Sequence, residues 1–193
     1  MRLPISILTM FILLSCGEDP LPKPKAYLRL DYPKPEYKTY KSNYTPIVFD
    51  KNEEVSKVNV RELQGETKTV GVDLVYKNLQ GTIYLTYKHV EGDKERLITF
   101  LKDAQKFTQE HTRKADEIVE QPYLNAERKV YGMFYEVGGN AASQSQFYVT
   151  DSLNHFLTGS LYFYTKPNYD SILPAAKYLE NDIKRIMETV NWQ

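Results

Sequence analysis

The sequence predicts an α+β domain in which an antiparallel sheet is flanked by two main helices as a layered sandwich. Between Lys129 and Tyr164, three runs rich in aromatic and β-branched residues are separated by short links, which is typical of an antiparallel meander. Apolar residues then recur at helical spacing as far as Val190, which predicts a covering helix. Further alternating runs and a second helical pattern precede the meander. Short-linked strands with helices packed on them define the α+β class.

Residues 1–15 have the pattern of a secretory signal peptide, with a basic start, an apolar run and small residues at the end. The run from Leu3 to Leu14 would span roughly 18 Å as a helix, well short of the roughly 30 Å hydrocarbon core of a bilayer. It is therefore not predicted to cross the membrane. The tetrapeptide Leu13-Leu14-Ser15-Cys16 resembles a bacterial lipobox, in which the cysteine is acylated and becomes the new N-terminus.

Cys16 is the only cysteine in the sequence. A lone cysteine in an exported chain has no intramolecular partner. Lipidation of Cys16 accounts for it, and an ordinary signal peptide with a chance cysteine is the alternative. Each buried acyl methylene contributes about 0.8 kcal/mol, and two chains give stable anchoring. The predicted anchor is therefore a lipid on Cys16.

The charge balance gives no electrostatic reason to expect nucleic acid or an anionic lipid surface as a partner. Of the 25 basic and 25 acidic residues, only Arg2 lies in the predicted signal peptide, so 24 basic residues remain against 25 acidic. The 178 residues that follow residue 15 fit a single domain with a sizeable core. Without a second cysteine, that core must hold without disulfides.

Residues 16–25 are predicted to be a lipidated tether, and residues 26–193 a single domain with a tyrosine-rich N-terminal arm. Prolines at alternate positions favour an extended polyproline II spacer of about 3.1 Å per residue. The arm tyrosines have two interpretations, an arm packed on its own domain or an interface for a partner. Candidate partner-binding residues in the arm are Tyr27, Tyr32 and Tyr37. A short edge strand is predicted at Leu28–Tyr32, ended by the prolines that follow.

The remaining elements follow from periodicity and turn residues. Strands are predicted at 46–49, 55–63, 70–76 and 83–87, with a hairpin loop at 77–81, and a helix from about Lys94 to Lys114 with Asp93 as its N-cap. Residues 117–124 are predicted to be extended because Pro122 does not fit a helix interior. The last helix is predicted to begin at Asp170 or Ser171, with Pro174 in its first turn. The closing half of the domain resembles the small sandwich domains typified by Mog1 and by the PsbP protein of photosystem II.

No motif for catalysis or for metal binding is present. The three histidines are far apart, no pair has zinc-ligand spacing, and no Gly-x-Ser-x-Gly elbow exists. Ser160 lies in a strand pattern and is interpreted as structural. His155 is expected to be solvent-exposed or to cap a turn. We therefore expect no enzyme activity, no cofactor and no metal.

The ends of the meander hairpins are polar but almost uncharged, with Asn140, Ser143, Gln144, Ser145, Gln146 and Asn154. Amide-rich loops suit adaptable hydrogen bonding to a protein or a sugar, and ordinary turn chemistry is the alternative. Asn140, Gln144 and Gln146 are the candidate partner-binding residues of this surface.

Several longer stretches resemble the gliding-motility lipoprotein GldD family. Besides the lipobox and tether, these are Leu28–Pro33, Gly81–Lys88, Lys114–Asn125 and Phe147–Gly159. The resemblance covers nearly the whole chain. It implies an envelope lipoprotein, anchored to the membrane and facing the periplasm, with the outer membrane favoured over the inner. It also implies an accessory or assembly role without known catalysis, beside other envelope proteins of gliding motility and type IX secretion. A ligand-binding lipoprotein that recognises glycan or peptidoglycan is the alternative.

One departure from the family pattern concerns cysteine. Family members often have a cysteine near the strand at 44–49 and another just before Val70, and this chain has neither. The N-terminal strands must then be held by packing alone.

Overall fold

The computed structural model describes residues 31–65, 67–111, 115–164 and 169–193. In chain order the strands are β1 Tyr37–Lys41, β2 Ile47–Asn52, β3 Lys57–Leu63, β4 Thr69–Tyr76, β5 Gly81–His89, β6 Ala115–Asn125, β7 Val130–Gly139, β8 Ser145–Thr150, β9 His155–Phe163 and β10 Asn191–Trp192. The helices are α1 Lys94–His111 and α2 Tyr169–Thr189, and a short 3-10 turn spans Lys77–Leu79.

The described residues form two antiparallel sheets and two helices, which confirms the α+β class. The large sheet has seven strands in the order β3-β4-β5-β9-β8-β7-β6, and the small sheet has three in the order β1-β2-β10. The meander β7-β8-β9 is present as predicted. The small sheet was not predicted as a separate layer, because β10 has only two residues and leaves no periodic signal.

Alternation of side chains gives the large sheet two unlike faces. On the face called here the core face, Leu74 of β4 pairs with Ile83 of β5, which pairs with Leu161 of β9. All three side chains are fully buried. The opposite face, called here the open face, carries the intervening residues, and β5 and β9 place tyrosine, threonine and serine there.

Helix α2 and the small sheet cover the core face. Leu179, Ile183 and Ile186 of α2 join Ile47 and Phe49 of β2 in one buried cluster with the core face. The helix begins at Tyr169 instead of at the predicted cap. Pro174 therefore lies in the second turn, where it removes the N–H that would bond to the carbonyl of residue 170.

Helix α1 lies over the open face. Asp93 caps it as predicted, since its Oδ1 accepts the backbone N–H groups of Glu95 at 2.9 Å and Arg96 at 3.0 Å. The helix ends at His111 and β6 begins at Ala115, and the predicted terminus at Lys114 lies outside the described residues.

The N-terminal arm differs from its prediction. Residues 28–30 of the predicted edge strand lie outside the described residues, and Asp31 to Glu36 have no regular structure. In the described part of the chain the first strand is β1, which pairs along its whole length with β2. Pro33 and Pro35 lack the N–H groups that strand pairing needs, so pairing starts only after them.

Candidate functional site

A cleft of about 320 Å³ lies between α1 and the open face of the large sheet. Four interior strands, β5, β9, β8 and β7, supply its floor, and α1 supplies a wall. This volume is at the lower end of the roughly 300–1,000 Å³ range of small-molecule sites. We call this cavity the cleft.

Strand register places four side chains in one row across the floor. Tyr84 of β5 pairs with Ser160 of β9, Ser160 pairs with Gln146 of β8, and Gln146 pairs with Tyr135 of β7. Because opposite residues in a sheet project to the same face, all four line the cleft.

A second row lies beside the first. Thr86 of β5 pairs with Thr158 of β9, which pairs with Tyr148 of β8. At the other side of the first row, Tyr162 meets the Tyr84 ring edge-on, with ring centroids 5.8 Å apart. The floor is therefore a continuous surface of aromatic rings and hydroxyl groups.

Helix α1 closes one end of the cleft with aromatic packing. Its Phe100 is buried and contacts Phe156 of β9 at 5.6 Å between ring centroids. Tyr148 stacks on the same Phe156 ring at 5.8 Å and 10°. Farther along the helix, Phe107 also lines the cleft and is 39% exposed.

One hydrogen bond ties the helix to the floor. The Thr108 hydroxyl lies 3.0 Å from Oε1 of Gln146 and 3.2 Å from the carbonyl of Ala104, and can donate to either. Gln146 is only 2% exposed. A buried amide with a fixed partner keeps one orientation, so this contact holds α1 at a defined position on the floor.

The described lining of the cleft is almost uncharged. Its charged residues are Lys88 and Asp103, one of each sign. The Lys88 ammonium lies 4.4 Å from the centroid of the Phe100 ring, a cation–π contact. Asp103 is exposed on α1.

The tyrosine hydroxyls of the cleft remain protonated at neutral pH. Burial raises the pKa of Tyr135 to about 12, with further contributions from neighbouring Tyr148 and Glu120. Burial is also the main cause of the raised pKa values of Tyr84, Tyr148 and Tyr162. A protonated phenol can both donate and accept a hydrogen bond.

Among the predicted hairpin residues, Gln146 lines the cleft. Gln144 is 4% exposed, and its amide nitrogen donates to the carbonyl of Ala141 at 2.7 Å. Asn140 is exposed in the same loop. The expectation of an exposed amide surface is thus wrong for Gln144 and Gln146, because both are buried. Gln146 is part of the interior strand β8, and Gln144 directly precedes that strand. Their part in binding a partner stays a prediction.

Of the candidate arm tyrosines, Tyr32 and Tyr37 are described and pack on their own domain. The Tyr32 ring lies 5.0 Å from Tyr178 of α2, and the Tyr37 hydroxyl donates to Oδ1 of Asp182 at 2.7 Å. These contacts agree with the packed-arm interpretation. Tyr27 and the lipidation candidate Cys16 lie outside the described residues.

The sequence interpretation missed the tyrosines of the floor. Tyr84, Tyr148 and Tyr162 were assigned to strands without a role. A signal was present, since the open-face positions of β5 and β9 carry tyrosine, threonine and serine where a solvated sheet face usually carries charged residues.

His155 lies in a drier site than predicted. Its Nδ1 is 2.6 Å from the Tyr87 hydroxyl, and its ring stacks on Trp192 at 5.1 Å and 7°. The adjacent turn is capped by Asp151, whose Oδ1 accepts three successive backbone N–H groups beginning at Leu153. Within the described ranges, no group of three or more His, Cys, Asp or Glu residues is placed to hold a metal ion.

The fold and the cleft define a small α+β sandwich domain with an aromatic cavity whose described lining is almost uncharged. A family model described as gliding motility lipoprotein GldD matches residues 17–192. The chain therefore belongs to the GldD family of gliding motility lipoproteins. No curated protein and no solved structure matches it, so the likeness to Mog1 and PsbP stays a prediction. In the described part of the chain, neither helix has the length and apolar character needed to span a bilayer.

Proposed function

We propose that this lipoprotein is a non-enzymatic accessory or assembly factor for gliding motility and for the associated type IX secretion machinery. The observation that carries the proposal is the family match, which begins at residue 17, directly after the predicted lipidated cysteine. The protein is anchored through acyl chains, including palmitate, on Cys16 after removal of the signal peptide 1–15. It faces the periplasm, with the outer membrane favoured.

The chemistry of the cleft supports a role in binding. Its lining offers rings, hydroxyls and one fixed amide. The described lining includes no histidine, the most frequent general base at neutral pH, beside the hydroxyl of Ser160. Partners are expected among the envelope proteins of gliding and secretion.

A clean deletion tests this proposal, complemented by the wild-type gene or by Cys16→Ala, with cell gliding and the secreted proteome scored together. We expect the deletion to lose both, the wild type to restore both, and Cys16→Ala to restore neither although the protein is present in immunoblots. If the deletion strain glides and secretes normally, the proposal is wrong.

The cleft itself favours a second candidate function, a lipoprotein that binds glycan or peptidoglycan. A cavity of ligand size with convergent polar groups and tyrosine rings is the usual form of a small-molecule site. This candidate does not exclude the first, because a scaffold protein can also hold an envelope saccharide.

A further inference from the structure

We propose that the cleft binds an uncharged saccharide, whose sugar rings lie on the tyrosine rings while its hydroxyls bond to the threonine and serine side chains of the floor. This inference deepens the second candidate function and rests on it. It is independent of the role in motility and secretion.

The backbone of the floor is not available to a ligand. β5, β9, β8 and β7 each pair with a strand on both sides, so their N–H and C=O groups are used in the sheet. An extended peptide that adds to a sheet needs a free edge. Recognition in the cleft must therefore come from side chains.

The side chains of the floor are matched to a ligand rich in hydroxyl groups. Thr86, Thr158 and Ser160 each provide a hydroxyl that can donate once and accept twice. Thr86 and Thr158 are cross-strand neighbours, and such pairs have Cβ atoms about 5 Å apart. A ring lying across two strands can therefore contact both.

The aromatic residues provide flat, amphipathic area. Tyr84, Tyr148 and Tyr162 are each partly exposed, and each is supported by another ring of the cleft. Tyrosine gives a large contact area at a low cost in conformational entropy, because it has only two side-chain torsions. Sugar rings have apolar C–H faces that such rings can cover.

The described lining of the cleft offers little charge to a strongly ionic ligand. Phosphates and carboxylates are usually held by arginine clusters, and no described arginine lines the cleft. Lys88 is paired with the Phe100 ring, and Asp103 offsets its charge. A neutral ligand needs no counter-charge, and this agrees with the lining.

The buried amide holds the helix over the floor. Gln146 lies in the same row as Tyr84 and Ser160, and its Oε1 is 3.0 Å from the Thr108 hydroxyl of the helix. The small volume accommodates a short oligosaccharide or one end of a longer chain.

The test uses the full-length lipidated protein in detergent micelles and isothermal titration calorimetry. The probes are the tetramers of β-1,4-linked N-acetylglucosamine, β-1,4-linked glucose and α-1,4-linked glucose, an anionic peptidoglycan muropeptide, and a proline-rich peptide. We expect at least one neutral tetramer to bind, and the muropeptide and the peptide not to bind.

Three variants locate the binding. Tyr162→Ala removes a ring, Thr158→Trp fills the floor, and Tyr44→Ala removes a tyrosine that is 60% exposed and outside the cleft as a matched control. We expect at least about tenfold weaker binding for the first two variants and unchanged binding for the control. Circular dichroism tests whether each variant is folded, and Tyr162→Ala alone decides the outcome if Thr158→Trp does not fold.

Several outcomes overturn the inference. Binding of none of the neutral tetramers does so, as does binding that Tyr162→Ala and Thr158→Trp leave unchanged. Binding of the proline-rich peptide instead of a sugar would assign the cleft to a protein segment, and preference for the muropeptide would contradict a neutral ligand.

The same variants separate this inference from the proposed function. Normal gliding and secretion in a deletion strain would overturn the motility role and leave the binding result intact. If the deletion is defective and Thr158→Trp restores both traits, the motility role stands without the cleft. In that case the calorimetric result alone decides the saccharide inference.

Discussion

The core face and the open face of the large sheet belong to the same strands but are covered in different ways. On the core face, α2 and the small sheet bury nearly every apolar side chain, and Leu179, Ile183 and Ile186 are at most 1% exposed. On the open face, α1 covers only part of the sheet, and the remainder forms the cleft.

The two helices show the same difference. Helix α1 has Ile98 at 50% exposure and Phe107 at 39%, and among its described side chains only Phe100 and Thr108 are buried. The core face therefore supplies most of the stability, and the open face leaves room for the cleft. Burial of apolar area stabilises a fold by roughly 25 cal/mol per Å². The open face buries less apolar area than the core face, so leaving part of it uncovered costs less folding free energy.

A pair of leucine truncations gives the largest expected difference. Leu179→Ala empties a fully buried site on α2 and should lower the free energy of unfolding by about 2–5 kcal/mol. Leu101→Ala on α1, where the side chain is only partly buried, should cost about 1 kcal/mol. Urea denaturation measures both. Equal losses would show that α1 is as important to the core as α2.

Asp182 provides a second contrast, this time between polar groups. This side chain of α2 is 2% exposed. Its carboxylate accepts hydrogen bonds from Nδ2 of Asn52, at 3.0 and 2.9 Å, and from the Tyr37 hydroxyl at 2.7 Å. Burial raises its pKa and the hydrogen bonds oppose that shift.

Asp182→Ala should therefore cost about 1–3 kcal/mol, because the Asn52 amide is left buried without its partner. Asp103→Ala on exposed α1 is the control and should stay within about 0.5 kcal/mol of the wild type. Thermal or urea unfolding measures both variants. An unchanged free energy of unfolding in Asp182→Ala would show that packing of the arm does not depend on this contact.

Native-state hydrogen exchange tests the two helices without mutation. Amides in the central turns of α1 should exchange at least about tenfold faster than those of α2, since weakly buried elements open at lower free energy. Mass spectrometry of peptides spanning 97–108 and 172–187 resolves the two. Equal protection would mean that α1 is locked in place and that the cleft cannot widen.

The sequence predicted the α+β class and most of the elements, but it did not predict the small sheet. The meander and α1 followed from periodicity and from the Asp93 cap, because these are local signals. The small sheet was missed because β1 follows two prolines and β10 has two residues. Its stability depends on pairing with β2, which is a long-range contact.

The candidate site was predictable only in part. Gln146 was singled out, but as an exposed loop residue, because its position beside an interior strand depends on the order of strands in the sheet. In the row Tyr84, Ser160 and Gln146, the first two residues lie more than seventy positions apart in the printed sequence, and only strand register brings the three together. The polarity of the open-face positions was visible in the sequence and could have been used.

The smallest predicted effect concerns pH at the end of the core face, where Tyr87 contacts both His89 and His155. Burial lowers the pKa of His155, with a nearby His89 acting in the same direction and Asp151 opposing it, and burial also lowers the pKa of His89. Burial raises the pKa of Tyr87, so its hydroxyl keeps its proton and can donate to Nδ1 of His155. Protonation at Nδ1 would remove that acceptor.

Since the folded state holds these histidines below the ordinary pKa of about 6.5, the unfolded state binds more protons as the pH falls. The free energy of unfolding should therefore decline below about pH 6.5 and be fully present above it. His155→Phe keeps a ring against Trp192 but cannot titrate, so urea midpoints between pH 7.5 and 5.5 should decline less than in the wild type. Asp182, whose raised pKa acts with the opposite sign, is common to both proteins and cancels in the difference. Parallel pH profiles for the two proteins would show that His155 contributes nothing to the pH dependence.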